Sequence, residues 1–273
     1  MKIERESFAA LVQKLCLDIR QLEKVCFFEK TDSTNRQAAL LAKSGEPEGT
    51  LVIADCQTEG RGRLQRRWES PEAKGLYFTL ILRPNLSPQQ APLLTLLAGL
   101  ALLRVLRVLG FENTLLKWPN DIWVNHKKLA GILCELVIQQ GGHSSKIDYV
   151  LLGIGINVSQ SQEDFPEDLQ DIATSLFELS GQHYSRIDLL KKILEEIFIQ
   201  IENFIQKGSS FMIEEWKRLS GFIGKKIIFE DAGKSYEATT LDLDHQGHLQ
   251  VKLESGIIKS LIAEEVSLKS LSD

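Results

Sequence analysis

The stretch that most constrains the fold is residues 91–109, which read Ala-Pro-Leu-Leu-Thr-Leu-Leu-Ala-Gly-Leu-Ala-Leu-Leu-Arg-Val-Leu-Arg-Val-Leu. A helix that is apolar all round has to be buried, either in a large core or in a bilayer. Arg104 and Arg107 interrupt the run before it reaches the roughly 20 apolar residues that a span needs, so it reads as a buried core helix and no membrane partner is expected. Ser87 stands where an N-cap belongs, Pro88 at the first helical position and Gln90 where a capping box places it; Gly110 can end the helix.

With 273 residues, the chain suits one large domain carrying a small appendage. A net charge of -5 gives no overall attraction to polyphosphate. Cys16, Cys26, Cys56 and Cys134 form no Cys-x-x-Cys pair, which fits reduced thiols in a cytoplasm. The opening Met1-Lys2-Ile3-Glu4-Arg5-Glu6 is too charged for a signal peptide, and cytoplasmic localisation is the expectation.

Residues 1–25 form a short leader with a weak helical period through Phe8, Leu11, Val12 and Leu15, followed by strand-like Val25-Cys26-Phe27-Phe28. Ser33 can cap a helix over 34–43, and the Gly45-Glu46-Pro47-Glu48-Gly49 run breaks it. Strands are expected at 50–54, 75–82, 114–118, 122–124, 128–138 and 149–156, with a hairpin turn at Asn125-His126-Lys127 and a polar loop at 139–145. Ser185 caps an amphipathic helix through Leu189, Leu190, Ile193, Leu194, Ile197, Phe198 and Ile201 that closes near Gly208. This pattern is an α+β domain, a mixed and mostly antiparallel sheet with helices packed on one side. From Gly221 the texture changes to short alternating runs at 226–229, 235–243, 249–253 and 257–262, separated by turns that include Asp231-Ala232-Gly233. They read as a small β-barrel over 221–273, following a main domain over 1–220.

The most unusual segment follows the 50–54 strand: Gly60-Arg61-Gly62-Arg63-Leu64-Gln65-Arg66-Arg67-Trp68, with four arginines and two glycines in its first eight residues. Glycine allows close backbone approach, and guanidinium forks bind phosphate and carboxylate oxygens in pairs. It lacks the spacing and the closing lysine and hydroxyl of a Walker-type loop. Taken alone, it reads first as a solvated basic turn, as most clusters of this size do, with a nucleic-acid patch and a nucleotide-handling loop as the alternatives. Lys117-Trp118-Pro119-Asn120-Asp121 gathers a cation, an indole and a carboxylate around a proline. Lys128-Leu129-Ala130-Gly131 and Gly153-Ile154-Gly155-Ile156-Asn157 complete an ordered set of polar residues at strand ends. The five histidines show no metal-ligand spacing, and no metal-binding residue is assigned.

Together with Thr31-Asp32-Ser33-Thr34-Asn35, these segments resemble those of biotin protein ligases, in the same order, over about residues 27–160. The resemblance implies the class II synthetase-like catalytic fold followed by an SH3-like barrel. It implies an ATP-dependent enzyme that makes biotinyl-5′-AMP and passes biotin to a lysine of a biotin carboxyl carrier protein, with Mg²⁺. Ser33, Thr34, Asn35 and Gln57 would face the ring end of biotin, with Gly60, Arg61, Lys128 and Gly131 also on that substrate. Arg63, Arg66, Trp68, Lys117, Asn120 and Asn157 would meet the nucleotide, and Lys128, Arg63 and Asp121 would carry the catalysis. The family's residue between Leu64 and Arg66 is often Gly or Ser, and here it is Gln65. The leader is too short for the DNA-binding domain of bifunctional members, so no DNA binding is expected; the chain would be a monomer or homodimer. Two rivals remain: a lipoate ligase or octanoyl transferase of the same fold, and a non-catalytic binding module built on the small barrel.

Overall fold

The computed structural model describes residues 7–139, 146–231 and 233–263, and the backbone of 266–272. Ala232 and most of the polar loop expected at 139–145 lie outside the described residues. The chain opens with helices α1 (Phe8–Gln13) and α2 (Leu15–Asp18), then strand β1 (Lys24–Thr31), helix α3 (Thr34–Lys43) and strands β2 (Thr50–Gln57) and β3 (Gly75–Leu82). The apolar run becomes α4 (Pro92–Val108), entered through a single 3₁₀ turn, Pro88–Gln90, in which the Gln90 side chain accepts from the Ser87 backbone N–H at 3.1 Å. Strands β4 (Thr114–Lys117), β5 (Asp121–Val124), β6 (Lys127–Gln139) and β7 (Lys146–Asn157) follow. Asn125 and His126, both at positive φ, make the tight turn between β5 and β6.

These strands form one seven-stranded sheet in the order β1-β2-β3-β7-β6-β5-β4, in which only β1 and β2 pair in parallel. Helix α5 (Leu176–Ser180) precedes α6 (Arg186–Ser220). The chain leaves helical geometry at Gly208, where closure was expected, but helix resumes and runs on to Ser220, bringing Met212, Ile213 and Trp216 into the core. Helices α4 and α6 cover one face of the sheet, burying Leu51, Ile53, Leu76, Phe78, Leu80, Ile154 and Ile156. The expectation of helices on one side holds for this pair. Helix α3 departs from it: Ala38 and Ala42 pack on Val52, Ile81 and Leu151, the alternate residues of the same strands. A strand buried on both faces offers a continuous apolar run, which by itself does not say where each helix sits.

Five further strands, β8 (Lys226–Asp231), β9 (Lys234–Leu243), β10 (Leu249–Leu253), β11 (Ile258–Leu261) and β12 (Val266–Ser272), make an antiparallel sheet in the order β11-β10-β9-β8-β12. Its apolar residues, among them Phe229, Leu249 and Val251, join the same core cluster as α4 and α6. Gly247, at φ +82°, sits close against Leu93 and Leu96 of α4 and accepts a hydrogen bond from Trp118 Nε1 at 2.9 Å. The two sheets are therefore joined next to the Lys117-to-Asp121 segment.

Candidate active site

The α3 face of the large sheet is bare at one end, and there a cavity of about 340 Å³ opens. Alternation along the strands explains the bareness. Gly153 and Gly155 fall on the cavity face of β7, with Ile154 between them and Ile156 after them turned to the core. Gly131 of β6 pairs with Gly155, so two glycines lie side by side on the cavity floor.

The start of α3 supplies one wall. Ser33 occupies the N-cap position, but its hydroxyl makes no capping bond; the Asp32 carboxylate accepts from Ser33 N at 2.6 Å and Gln37 Nε2 at 2.9 Å instead. Burial pushes that carboxyl up, yet the hydrogen bonds from Gln37, Arg36, Ser33 and Thr31 outweigh it and hold the group well below its ordinary value. Next to it, Gln57 Oε1 accepts from Thr34 N at 2.8 Å and contacts Thr34 Oγ1 at 3.1 Å, while Gln57 Nε2 donates to Ser70 Oγ at 2.8 Å. Thr79 Oγ1 lies 2.9 Å from Thr34 Oγ1 and 2.6 Å from Asn35 Oδ1. Two hydroxyl hydrogens thus serve three oxygen–oxygen contacts, an arrangement that an incoming N–H donor would relieve.

The basic segment folds as a small hairpin over the opposite side. Gly62 N donates to Arg66 O at 2.7 Å, Trp68 N donates to Gly60 O at 2.9 Å, and Arg61 bridges to Arg67. At its tip Leu64 and Gln65 take positive φ of 53° and 58°, the strained left-handed conformation that suits glycine. Arg61, Gly62, Arg63, Arg66 and Trp68 line the cavity. Gly60 does not; it lies buried against the Trp68 carbonyl and Ser70 Oγ, so its part is to let the hairpin arms close. Arg61 forms a bidentate pair with Glu135, at 3.2 and 3.0 Å. Arg63 donates to Asn120 Oδ1 at 3.2 Å and to the Ala263 carbonyl, reaching across to the small sheet.

The remaining cations come from β4 and β6. Lys128 reaches the cavity because the pairing of β5 with β6 shifts between Ile122 and Trp123, a β-bulge that sends both Leu129 and Ala130 to the core and turns Lys128 outward. Its backbone is clamped by residues 172–174, with Lys128 N donating to Ile172 O at 2.8 Å and accepting at its own carbonyl from Thr174 N at 2.9 Å. Its Nζ lies 2.7 Å from Asp121 Oδ1 and 5.5 Å from the Trp68 ring centroid. The Asp121 contact is an ion pair by distance, without the alignment of a good hydrogen bond to that oxygen. Lys117 is nearly buried, with Nζ 4.0 Å from the Trp123 ring centroid. Burial lowers its pKa to about 8, against the pull of Asp121, and the nearby Lys128 and Arg66 charges lower it further.

Asn120 and Asn157 also line the cavity, but their amides are engaged by the protein. Asn120 Nδ2 donates to Ile132 O at 2.8 Å; Asn157 Nδ2 donates to Thr174 O at 2.9 Å and its Oδ1 accepts from Gln160 Nε2 at 3.0 Å. The structure therefore brings every sequence-predicted site residue except Gly60 to one cavity. Sequence reasoning missed Glu135, Thr79, Ser70 and the strap carrying Phe165, Leu169, Ile172 and Ala173, since none of them is unusual among its neighbours. Among the described residues no group of three or more His, Cys, Asp or Glu side chains is arranged to hold a metal.

The chain is similar to proteins of one family. Residues 27–157 match the Biotin/lipoate A/B protein ligase family. The bifunctional ligase/repressor BirA of Bacillus spizizenii is 37% identical over 232 residues, covering 85% of this chain and 70% of that protein. The biotin–[acetyl-CoA-carboxylase] ligase of Mycobacterium tuberculosis is 32% identical, covering 84% and 82% of the two chains. A structure of biotin protein ligase from Aquifex aeolicus in complex with biotin and ATP superposes with a TM-score of 0.76 at 30% identity, over 91% of this chain and all of that one. With relatives of such identity matched over more than two thirds of their length, the chain belongs to the Biotin/lipoate A/B protein ligase family, among its biotin protein ligases.

Proposed function

We propose that the chain activates biotin with ATP and transfers it to a lysine of a biotin carboxyl carrier protein, with residues 1–220 carrying the chemistry and residues 221–273 forming the small appended domain. The observation that carries this reading is the polarity of the cavity. Ser33, Thr34, Asn35 and Gln57 offer uncharged hydrogen-bonding groups at one wall, while Arg61, Arg63, Arg66, Lys117 and Lys128 line the same space. An acid with a neutral polar ring fits the first, and a carboxylate meeting a triphosphate needs the second.

In the first step a biotin carboxylate oxygen attacks the α-phosphorus of ATP, a P–O bond forms, and pyrophosphate leaves. Two anions must approach, and the cations of the cavity offset that repulsion in a site partly closed to water. Lys128, with Gly131 beside it, stands at the reacting carboxyl; Arg63, Arg66, Lys117 and Asn120 face the nucleotide, and Trp68 covers it. Asn157 acts on the nucleotide side by holding Thr174 rather than through a free amide. Magnesium would add charge neutralisation on the phosphates. The cavity's carboxylates fit a modest share in holding it: Asp121 is paired to Lys128, and Glu69 to Arg67 at 2.9 Å, so most ligands would be phosphate oxygens and water.

In the second step the carrier's neutral amine attacks the acyl carbon, AMP departs and the amine proton is released, with Asp121 the nearest carboxylate to Lys128. The mixed anhydride between the steps is vulnerable to water, and the hairpin over the cavity is placed to shield it. Biotin is favoured over lipoate by the names of the relatives. The test is mass spectrometry of a purified carrier domain after incubation with the chain, ATP, Mg²⁺ and either biotin or lipoate. A biotinyl adduct lost in Lys128→Ala, with folding retained, is expected. An unmodified carrier with biotin, or modification by lipoate alone, would overturn the proposal.

A further inference from the structure

Glu135 lies on β6 two strand repeats beyond Gly131, on the cavity face, and pairs across the sheet with Leu151. Strand alternation there would suit an apolar residue packed under α3, yet a carboxylate occupies the position, its side chain 29% exposed. Its Oε2 accepts from Asn35 Nδ2 at 2.8 Å and from Arg61 at 3.2 Å, while Oε1 pairs with the other Arg61 nitrogen at 3.0 Å. No other side chain touches both the α3 wall and the basic hairpin through hydrogen bonds of this kind among those described above. A continuous chain of contacts runs from Ser70 through Gln57, Thr34, Thr79, Asn35 and Glu135 to Arg61.

We infer that Glu135 is a positioning residue for the ligase reaction, orienting the Asn35 amide at the ring end of the acid site and anchoring the hairpin through Arg61. The inference rests on the assignment of this cavity to biotin and its adenylate. Because Asn35 Nδ2 is drawn to Glu135, Asn35 Oδ1 is presented to Thr79 and the cavity floor. Because Arg61 bridges to Arg67, holding Arg61 also steadies the arm that delivers Trp68. A carboxylate accepts on both oxygens; a glutamine with its amide oxygen in the Oε2 place still accepts from Asn35 and one Arg61 nitrogen, but it turns an N–H₂ toward the other Arg61 nitrogen and removes the charge that holds the guanidinium. Loss of a hydrogen bond to a charged group weakens binding by about tenfold or more.

The experiment compares the full chain with Glu135→Gln, measuring KM for biotin and for ATP separately, and the AMP released per carrier modified. Glu135→Gln is expected to raise the biotin KM about tenfold, to raise the ATP KM by a clearly smaller factor because Trp68 keeps its seat on Gly155, and to raise the AMP released per carrier as the intermediate escapes to water. On an Arg61→Ala background it should add little, since the hairpin contact is already gone. Glu135→Asp keeps two acceptor oxygens on a shorter stem; its biotin KM should lie between the two, and it serves the same comparison if Glu135→Gln is unstable. Unchanged biotin KM and AMP ratio in Glu135→Gln would overturn the positioning role. So would an equal rise in both KM values accompanied by a lower thermal midpoint. A parent chain that forms no AMP from biotin and ATP would overturn the reading of the cavity itself, and the proposal with it.

Discussion

The indole of Trp68 fills the place where a side chain on Gly155 would begin, its Cε2 and Nε1 2.5 Å from the position of that Cβ. A methyl group there has to displace the ring, and with it the arm of the hairpin that carries it. Gly155→Ala should therefore raise the KM for ATP about tenfold or more, an effect of the size of a lost well-packed contact. Steady-state pyrophosphate release, with ATP varied at saturating biotin, reads this directly; a KM within twofold of the parent would show that Trp68 can seat elsewhere.

Lys117 should make nucleotide binding sensitive to mild alkali. Its pKa is lowered to about 8, so its positive charge is lost as pH rises through that value, and affinity for ATP should fall between pH 7 and 9. Lys117→Arg, which keeps its charge, should flatten that dependence. Stability runs the other way: between about 8 and the ordinary 10.5 the unfolded chain holds a proton that the folded chain has released, so this residue's contribution to stability rises with pH. Lys117→Met should accordingly raise the thermal midpoint at pH 7 and do so far less at pH 10.5. An equal rise at both would mean that the buried charge is not the source.

Asn157 spans two segments, and its replacement should be felt as loss of stability more than as loss of a ligand contact. Asn157→Ala leaves the Thr174 carbonyl and the Gln160 amide short of partners in a buried setting, a cost of about 1–3 kcal/mol. Thr174 also holds the backbone of Lys128, so kcat should drop alongside stability. Urea denaturation of the variant checks the first part; an unchanged midpoint would return Asn157 to a purely nucleotide-facing role.

Much of this site was legible in the order of the chain, and the reasons differ from residue to residue. The basic hairpin and the Lys117-to-Asp121 segment stand out because arginine-rich glycine turns and a lysine beside a tryptophan are unusual at strand ends. Thr79 sits inside an apolar run and Glu135 lies within β6, where the strand is only partly buried, so neither breaks the local pattern; only pairing across the sheet brings them together. The second half of α6 was hidden by Gly208, which reads as a stop although the Met212, Ile213 and Trp216 face beyond it still finds the core. The place of α3 was hidden for a third reason, since strands covered on both faces lose the alternation that would assign each face to a helix.

The hairpin tip offers a test of strain. Gln65 stands at φ 58° beside Leu64 at φ 53°, and a left-handed conformation costs a non-glycine residue about 1–2 kcal/mol. Gln65→Gly removes that strain while adding freedom to the open loop, a smaller opposing effect. Limited trypsin digestion at the arginines of residues 61–67 should therefore slow by about twofold to fivefold. Faster cleavage would show that the glutamine side chain contributes more to closure than its backbone subtracts.

A strand counts in twos, and by that count Lys128 and Ala130 belong on the same side. The shift in pairing that spends Leu129 on the core breaks the parity once, and everything before it changes faces. Had the strand paired regularly through Leu129, the same residues would have turned the lysine into the core; deleting Leu129 would remove the bulge and leave Lys128 facing the cavity. Whether this sheet can hold a charged group over its glycine floor is thus settled by an odd number rather than by any single side chain.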